Sequence, residues 1–91
     1  MFDDISWIEG LRDYVKMHLN SSNKPLLFRT SLKAIEPELP PLKFIRIHKS
    51  YIVSIESIMS IRKTSLFINE MELPVGETFR DAVEKLVRRK F

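Results

Sequence analysis

The ten residues from Phe44 to Val53 constrain the fold of this chain more than any other stretch. They form its longest apolar-rich run, Phe-Ile-Arg-Ile-His-Lys-Ser-Tyr-Ile-Val. Because β-branched and aromatic residues dominate the run, it predicts two strands. The polar break at 48–50 predicts a turn between them. That turn is basic and a candidate contact for an anionic partner, although a core strand pair with solvated cations explains the same residues.

Length and composition bound the classes of protein to which the chain can belong. Its 91 residues are expected to form a single domain, residues 1–91, around one hydrophobic core. Cysteine is absent, which excludes disulfides, thiolate metal sites and cysteine nucleophiles. No apolar run reaches the ~20 residues that a membrane span needs, and no signal peptide is recognisable. We therefore expect a cytoplasmic protein with no membrane partner.

The central run lies in a stretch that carries cations but no acids. The chain has 15 Lys and Arg against 12 Asp and Glu, a net charge of +3. No acid occurs between Leu39 and Ile55, whereas Lys43, Arg46 and Lys49 all fall there. A basic surface of this kind favours a nucleic acid as partner without requiring one.

Short strands are predicted along most of the chain before Gly76. Outside the central run they span residues 4–9, 14–19, 26–29, 58–62, 66–68 and 71–75. The second and third are expected to form a hairpin, because a cluster of turn residues separates them. In the first strand Ile5 and Trp7 alternate with polar neighbours. Trp7 is expected in the core, although an exposed tryptophan could also serve as a binding platform.

A short helix is predicted in the middle of the chain. Thr30 or Ser31 can cap it, and Leu32 and Ile35 are its apolar residues. Proline is hostile to a helix interior, so the helix is expected to end before Pro37.

A longer amphipathic helix is predicted at residues 77–90. Its apolar residues recur at helical spacing: Phe79, Ala82, Val83, Leu86 and Val87. This stripe is expected to dock the helix on the sheet core. The basic residues at its end, 88–90, suit the helix dipole and need no DNA to explain them, although they could also contact DNA.

Neither a catalytic nor a metal-binding constellation can be assembled from these residues. His18 and His48 lie far apart and match no metal-ligand spacing. Two glycines cannot form a glycine-rich phosphate loop, and no nucleophile elbow is present. We expect no catalytic residues, no metal site and no cofactor. Because the middle helix is too short for a helix-turn-helix, any DNA contact is expected from loops or strand ends.

Several blocks of the sequence resemble the LytTR family of DNA-binding output domains. They lie at residues 4–15, 31–40, 44–53 and 72–83, and the third carries the pattern Phe-x-Arg-x-His-[Arg/Lys]-Ser-[Tyr/Phe]. The resemblance implies a mainly β fold: an elongated antiparallel arrangement of short strands in three small sheets, with the two helices predicted above.

The same resemblance implies a function. Members are output domains of bacterial two-component transcriptional regulators, and they bind double-stranded DNA sequence-specifically. Paired monomers bind direct repeats through loops in the major groove, so a homodimer could form on DNA. An N-terminal receiver domain would then belong to the full-length protein.

The resemblance also places candidate DNA contacts in three loops. The residues concerned are Arg12, Asp13 and Tyr14 in the first, Lys49 in the second, and Thr78 and Arg80 in the third. Arg46, a cation of the acid-free stretch, is a further candidate contact, and Ser50 could either cap the turn or bind phosphate. Lys49 stands where the family usually has a groove-contacting Arg, Lys or Asn. His48 is expected to be structural, with its ring tying the strand to the turn, although it could also contact a base.

The third loop departs from the family pattern. Gly76 and Glu77 stand where a serine followed by an arginine is usual. A carboxylate there would be repelled by phosphate unless it accepts a hydrogen bond from a cytosine amino group. Thr78 or Arg80 would then have to supply the third contact.

A function of another class explains the same charge pattern. The basic loop could dock on an acidic surface of a partner protein, which would make the chain a protein-interaction module. Titration against duplex DNA at several salt concentrations separates the two functions.

Overall fold

Eight strands and two α-helices build the part of the chain that the structure describes. The computed structural model describes residues 2–90, except for the side chain of Lys90. The strands are β1 Ile5–Gly10, β2 Val15–Leu19, β3 Leu26–Phe28, β4 Phe44–His48, β5 Tyr51–Ser54, β6 Ile58–Ile61, β7 Ser65–Ile68 and β8 Met71–Pro74. The helices are α1 Leu32–Ile35 and α2 Arg80–Lys90. The prediction of a mainly β fold with a short middle helix and a C-terminal helix is confirmed.

The strands form two antiparallel sheets. The larger sheet has the order β3-β2-β1-β5-β4, and the smaller has the order β6-β7-β8. The expectation of three sheets is wrong in number. The reason is that β1 pairs with β5, with Trp7 opposite Val53 and Ile8 opposite Ile52, which joins the N-terminal strands to the central hairpin.

The molecule is only modestly elongated. Its principal extents are 34, 26 and 22 Å, and its radius of gyration of 12.3 Å matches the ~12 Å of a compact chain of this length. The elongation that the resemblance implies is therefore slight.

Two hydrophobic clusters cover opposite faces of the larger sheet. One, which we call the inter-sheet core, packs the larger sheet against the smaller sheet and α2; its buried members are Trp7, Ile47, Val53, Ile58, Leu66, Ile68, Leu73, Val75, Val83 and Leu86. The other is closed by α1 and the segment after it, with Ile5, Ile8, Val15, Leu32, Leu39, Phe44 and Ile52 buried. Successive residues Ile52 and Val53 fall in different clusters, as the period of a strand requires.

A β-bulge at Ser6 changes the faces of the first strand. Ile5 lies opposite Leu19 while Trp7 lies opposite His18, so Ser6 is the extra residue on β1. Its hydroxyl donates to the His18 carbonyl at 2.9 Å. Ile5 and Trp7 therefore belong to different clusters, although they alternate with polar neighbours in the sequence. The core position of Trp7 is confirmed, with 8% of its surface exposed.

The middle helix ends as its proline predicts. Ser31 is the N-cap, and its hydroxyl accepts a hydrogen bond from the Ala34 N–H at 3.1 Å. The α-helix stops at Ile35, and Pro37 lies in a 3-10 turn that follows, Glu36–Glu38, where its missing N–H costs no helical hydrogen bond.

The terminal helix begins later than predicted, because residues 77–79 form a 3-10 turn before α2. Val83 and Leu86 are buried in the inter-sheet core, and Phe79 packs against it while partly exposed. Docking of the helix through these residues is confirmed. No helix within residues 2–90 is both long enough and apolar enough to cross a membrane.

Removing the Phe79 ring should loosen the start of α2. Because the ring is only partly buried, we expect Phe79→Ala to lower the free energy of unfolding by about 1.5–2 kcal/mol, below the ~3–5 kcal/mol of a fully buried phenylalanine. Urea unfolding at constant m-value measures it. Lys85→Ala, on an exposed part of the same helix, should change stability by less than about 0.5 kcal/mol. An equally small loss for Phe79→Ala would show that the ring does not dock the helix.

Candidate nucleic-acid interface

Two turns and the start of α1 meet at one end of the larger sheet. They enclose an open cleft of about 430 Å³, lined by Gly10, Leu11, Arg12, Ser31, Leu32, Lys33, Arg46, Lys49 and Ser50. The Gly10 N–H donates to the Ser50 carbonyl at 2.7 Å, which joins the β1–β2 turn to the β4–β5 turn. A β-carbon at Gly10 would lie 2.8 Å from the Leu32 side chain, so this glycine allows α1 to close the cleft.

The β4–β5 turn consists of two residues, Lys49 and Ser50. A bulge at Ile47 precedes it, since Arg46 lies opposite Ile52 and His48 opposite Tyr51. Both flanks are anchored, since Ile47 before the turn and Ile52 after it are buried, and the Ile47 carbonyl accepts a hydrogen bond from the Gly76 N–H at 2.7 Å. The turn thus rests on the inter-sheet core.

Arg46 holds two backbone carbonyl groups, one at the end of β4 and one in this turn. Its Nε donates to the His48 carbonyl at 3.0 Å, and its Nη2 donates to the Lys49 carbonyl at 2.7 Å. Its Nη1 forms an ion pair with Glu36 at 2.7 Å. The guanidinium carbon lies 5.9 Å from the centre of the Phe79 ring. Arg46, a candidate DNA contact from the sequence, therefore has acceptors within the protein.

His48 connects the strand to the turn. Its Nδ1 accepts a hydrogen bond from the Ser50 N–H at 3.0 Å, so the neutral ring carries its proton on Nε2. The ring lies 5.3 Å from the Tyr51 ring, centre to centre. These contacts make the ring a brace for the turn that presents Lys49.

Lys49 and Arg12 extend into solvent on the two sides of the cleft. Both are exposed, and within residues 2–90 neither side chain forms an ion pair or hydrogen bond. Asp13 and Tyr14 are exposed in the same turn as Arg12 but do not line the cleft. The Leu11 N–H closes that turn by donating to the Tyr14 carbonyl at 2.8 Å.

Lys33 is a candidate contact that sequence reasoning missed. It is exposed on α1, lines the same cleft, and has no ion pair or hydrogen bond among the described residues. In the sequence it stands in a marginal helix, away from the basic run. Only the packing of α1 beside the two turns brings it to Arg12 and Lys49.

Lys43 differs from these cations, although it belongs to the acid-free stretch. Its Nζ lies 2.8 Å from Oδ1 of Asp3, and it does not line the cleft. The hydrogen bond and charge of Lys43 lower the pKa of Asp3, and the same contact raises the pKa of Lys43. The charge of Lys43 is therefore partly compensated within the chain.

The third loop lies against the hairpin but outside the cleft. A β-carbon at Gly76 would lie 3.1 Å from Cδ2 of Phe79 and 3.5 Å from Cδ2 of His48, so a serine at this position would press on the Phe79 ring. Glu77 and Thr78 are exposed. Their carboxylate and hydroxyl lie on a loop that the hairpin holds in place.

The structure separates Arg80 from the other candidates. Arg80 lines a different cleft, of about 390 Å³, between α2 and the β6–β7 turn, together with Arg62, Lys63 and Arg88. Its Nε is buried without a hydrogen-bond partner among the described residues.

The residues of the cleft suit the binding of an anion more than catalysis. Within residues 2–90, no three His, Cys, Asp or Glu side chains lie close enough together to hold a metal ion. The Trp7 and His18 rings stack with their centres 3.8 Å apart, on the face of the larger sheet opposite α1. Burial lowers the pKa of His18. The cleft presents the positive charge of Lys49 on a turn whose backbone is held by Arg46 and His48.

This chain was compared with known protein families and structures. Residues 1–88 match the family model described as the LytTr DNA-binding domain, LytTR. The structure is similar to the LytTr DNA-binding domain of a protein named as a methyl-accepting/DNA response regulator from Bacillus cereus, with a TM-score of 0.82 and 24% identity. That match covers 94% of this chain and 83% of the other. No curated protein matches the chain.

Proposed function

The chain belongs to the LytTR family of DNA-binding domains, and we propose that it binds double-stranded DNA sequence-specifically through the cleft between its first two loops. It would do so as a single LytTR-type domain over residues 1–91, the output domain of a bacterial two-component transcriptional regulator. The family is one of DNA-binding domains rather than of enzymes.

The observation that carries the proposal is the set of three uncompensated cations around one cleft. Arg12, Lys33 and Lys49 come from three different segments, and none has an acid partner among the described residues. The phosphate backbone of duplex DNA is the anionic surface that a cluster of this kind fits. Lys49 stands on a turn whose carbonyls are hydrogen-bonded to Arg46 and Gly10, which suits it to reading a base, while Arg12 and Lys33 suit phosphate contacts.

The wider assembly follows from the proposed role. Two copies would bind a direct repeat as paired monomers, and a receiver domain would precede this one in the full-length regulator. Such a regulator works in the cytoplasm, where bacterial DNA lies.

Selection from a pool of random duplexes tests the proposal. The immobilised chain should enrich a short sequence element that occurs twice in the same orientation. Enrichment of no element, together with binding to an acidic protein surface that duplex DNA cannot displace, would favour a protein-interaction module instead.

Exchange of Glu77 tests the third loop. Glu77 is exposed beside the hairpin, and its carboxylate should repel a phosphate there. We expect Glu77→Arg to raise affinity for unrelated duplex by up to ~8-fold at about 0.1 M salt, and to steepen the slope of log K against log salt by ~0.9, if one phosphate contact is gained. Fluorescence anisotropy over a salt series measures both quantities.

Glu70→Arg is the matched control, because it makes the same charge change at an exposed residue of the β7–β8 turn. It should leave the slope unchanged. If both variants steepened the slope equally, net charge alone would explain the gain and the third loop would have no place on DNA.

A further inference from the structure

We propose that Arg46 is a positioning residue for Lys49, and that the specificity of the domain depends on this arginine although it makes no base contact. The inference rests on the proposed function, since it concerns how the β4–β5 turn reads DNA. Arg46 fixes the backbone from which Lys49 projects, and thereby the position of the lysine ammonium relative to a base edge.

The first step is the occupancy of the guanidinium. Arg46 donates through Nε, Nη1 and Nη2 to three different acceptors, at 3.0, 2.7 and 2.7 Å. The Arg46 side chain is 21% exposed, whereas Lys49 is an exposed residue. A guanidinium engaged on three sides is poorly placed to bind a phosphate as well, because it would have to give up an ionic or charge-assisted hydrogen bond to do so.

The second step is what these hydrogen bonds immobilise. Arg46 holds the carbonyl groups of His48 and Lys49, and the Gly10 N–H holds that of Ser50. The Ser50 N–H is held by the His48 ring. The turn backbone is thus fixed from both sides before DNA arrives. Only the side-chain torsions of Lys49 remain to be ordered on binding, which lowers the entropic cost of a directed contact.

The third step concerns the geometry that only arginine supplies. The two carbonyls and the Glu36 carboxylate are reached by a planar fork with fixed angles between its donors. Lysine has one nitrogen, which cannot span acceptors on β4, the turn and the 36–38 segment at once. Arg46→Lys therefore keeps the positive charge but loses the clamp, by which we mean the three simultaneous hydrogen bonds to His48, Lys49 and Glu36. The variant thus separates positioning of the turn from electrostatic attraction to DNA.

Arg46 also links the second loop to the third. Its guanidinium lies over the Phe79 ring, and the neighbouring Ile47 carbonyl is bonded to the Gly76 N–H. Loss of the clamp should therefore disturb the relative placement of two loops, and not only of Lys49.

The test compares the wild type with Arg46→Lys on the duplex selected above and on an unrelated duplex, under conditions where urea unfolding shows both chains to be folded. We expect the ratio of the two affinities to fall about 10-fold, with the salt slope on the unrelated duplex unchanged. Lys33→Gln is the control: per bound domain, it should weaken both duplexes equally and make the slope shallower by ~0.9. If Arg46→Lys preserved the ratio while Arg46→Gln behaved like Lys33→Gln, Arg46 would be a phosphate contact and the inference would be overturned.

Hydrogen exchange provides a readout without DNA. In Arg46→Lys the Ser50 amide should exchange at least ~10-fold faster, while the amide of Ile52 in the core of the same hairpin keeps its protection. Unchanged protection of Ser50 would overturn the inference even if the domain binds DNA as proposed. A wild type that bound no duplex would instead overturn the proposed function, and this inference with it.

Glu36→Gln guards against a misfolded first variant. It removes the ion pair but leaves both carbonyl bonds of Arg46 in place. It should lower the affinity ratio about 2–3-fold, less than Arg46→Lys does. A larger loss than that of Arg46→Lys would show that the carboxylate, and not the clamp on the turn, determines specificity.

Discussion

Replacement of Lys49 by alanine is expected to lower affinity for a selected direct repeat by about 5–150-fold, the range that a lost guanine contact of ~1–3 kcal/mol predicts. Binding to unrelated duplex should change by less than about threefold. The reason is geometric. Lys49 projects from a two-residue turn whose carbonyls are bonded to Arg46 and Gly10, so its ammonium can reach into a groove from a fixed base.

Two controls frame this expectation. Lys24→Ala removes an exposed cation from the β2–β3 connection, at the other end of β2 from the cleft, and should leave the selected repeat bound as tightly as before. Lys49→Arg keeps a donor that can reach both guanine acceptors and should retain most of the affinity. Equal losses on both duplexes in Lys49→Ala would show that the lysine contacts phosphate and carries no sequence information.

Much of the fold follows from local pattern. The β-branched run from Phe44 to Val53 predicted a hairpin around a basic turn, and β4 and β5 form it. The helical spacing after Gly76 predicted Val83 and Leu86, which α2 buries, although Ala82 of the same predicted stripe is exposed. In each case the signal is short-range, because strand and helix periods repeat within a few residues.

What the pattern could not predict depends on long-range pairing. The bulge at Ser6 becomes visible only once β2 lies beside β1, and it moves Trp7 and Ile5 to different clusters. The number of sheets depends in the same way on whether β1 pairs with β5. Neither is encoded in the alternation of residues along one strand.

The cations show the same limit. From composition alone, Lys43, Arg46 and Lys49 are equivalent members of an acid-free stretch. In the folded chain Asp3, which is 40 residues away, compensates Lys43, and Glu36 compensates Arg46. Packing of α1 adds Lys33 to the cleft instead. Which charges remain available to a partner is therefore a property of the fold.

That distinction leads to the largest effect we expect, the dependence of binding on salt. If Arg12 and Lys33 are the phosphate contacts of each domain, two domains on a direct repeat neutralise about four phosphates, and log K should fall against log salt with a slope near −3.6. Between about 50 and 200 mM salt, affinity should then fall about 150-fold. Anisotropy titrations over four or five salt concentrations give the slope directly.

Single and double substitutions show which residues are responsible for the slope of log K against log salt. Arg12→Gln combined with Lys33→Gln should bring it close to zero, whereas Lys49→Ala and Lys43→Gln should leave it nearly unchanged. Lys43→Gln should have little effect because Lys43 already pairs with Asp3 at 2.8 Å and does not line the cleft. Lys24→Gln, remote from the cleft, controls for net charge. Two results would show that the cleft is not the surface that meets the DNA backbone. One is an affinity that stays constant between about 50 and 200 mM salt. The other is a slope that becomes as shallow in Lys43→Gln as in Lys33→Gln.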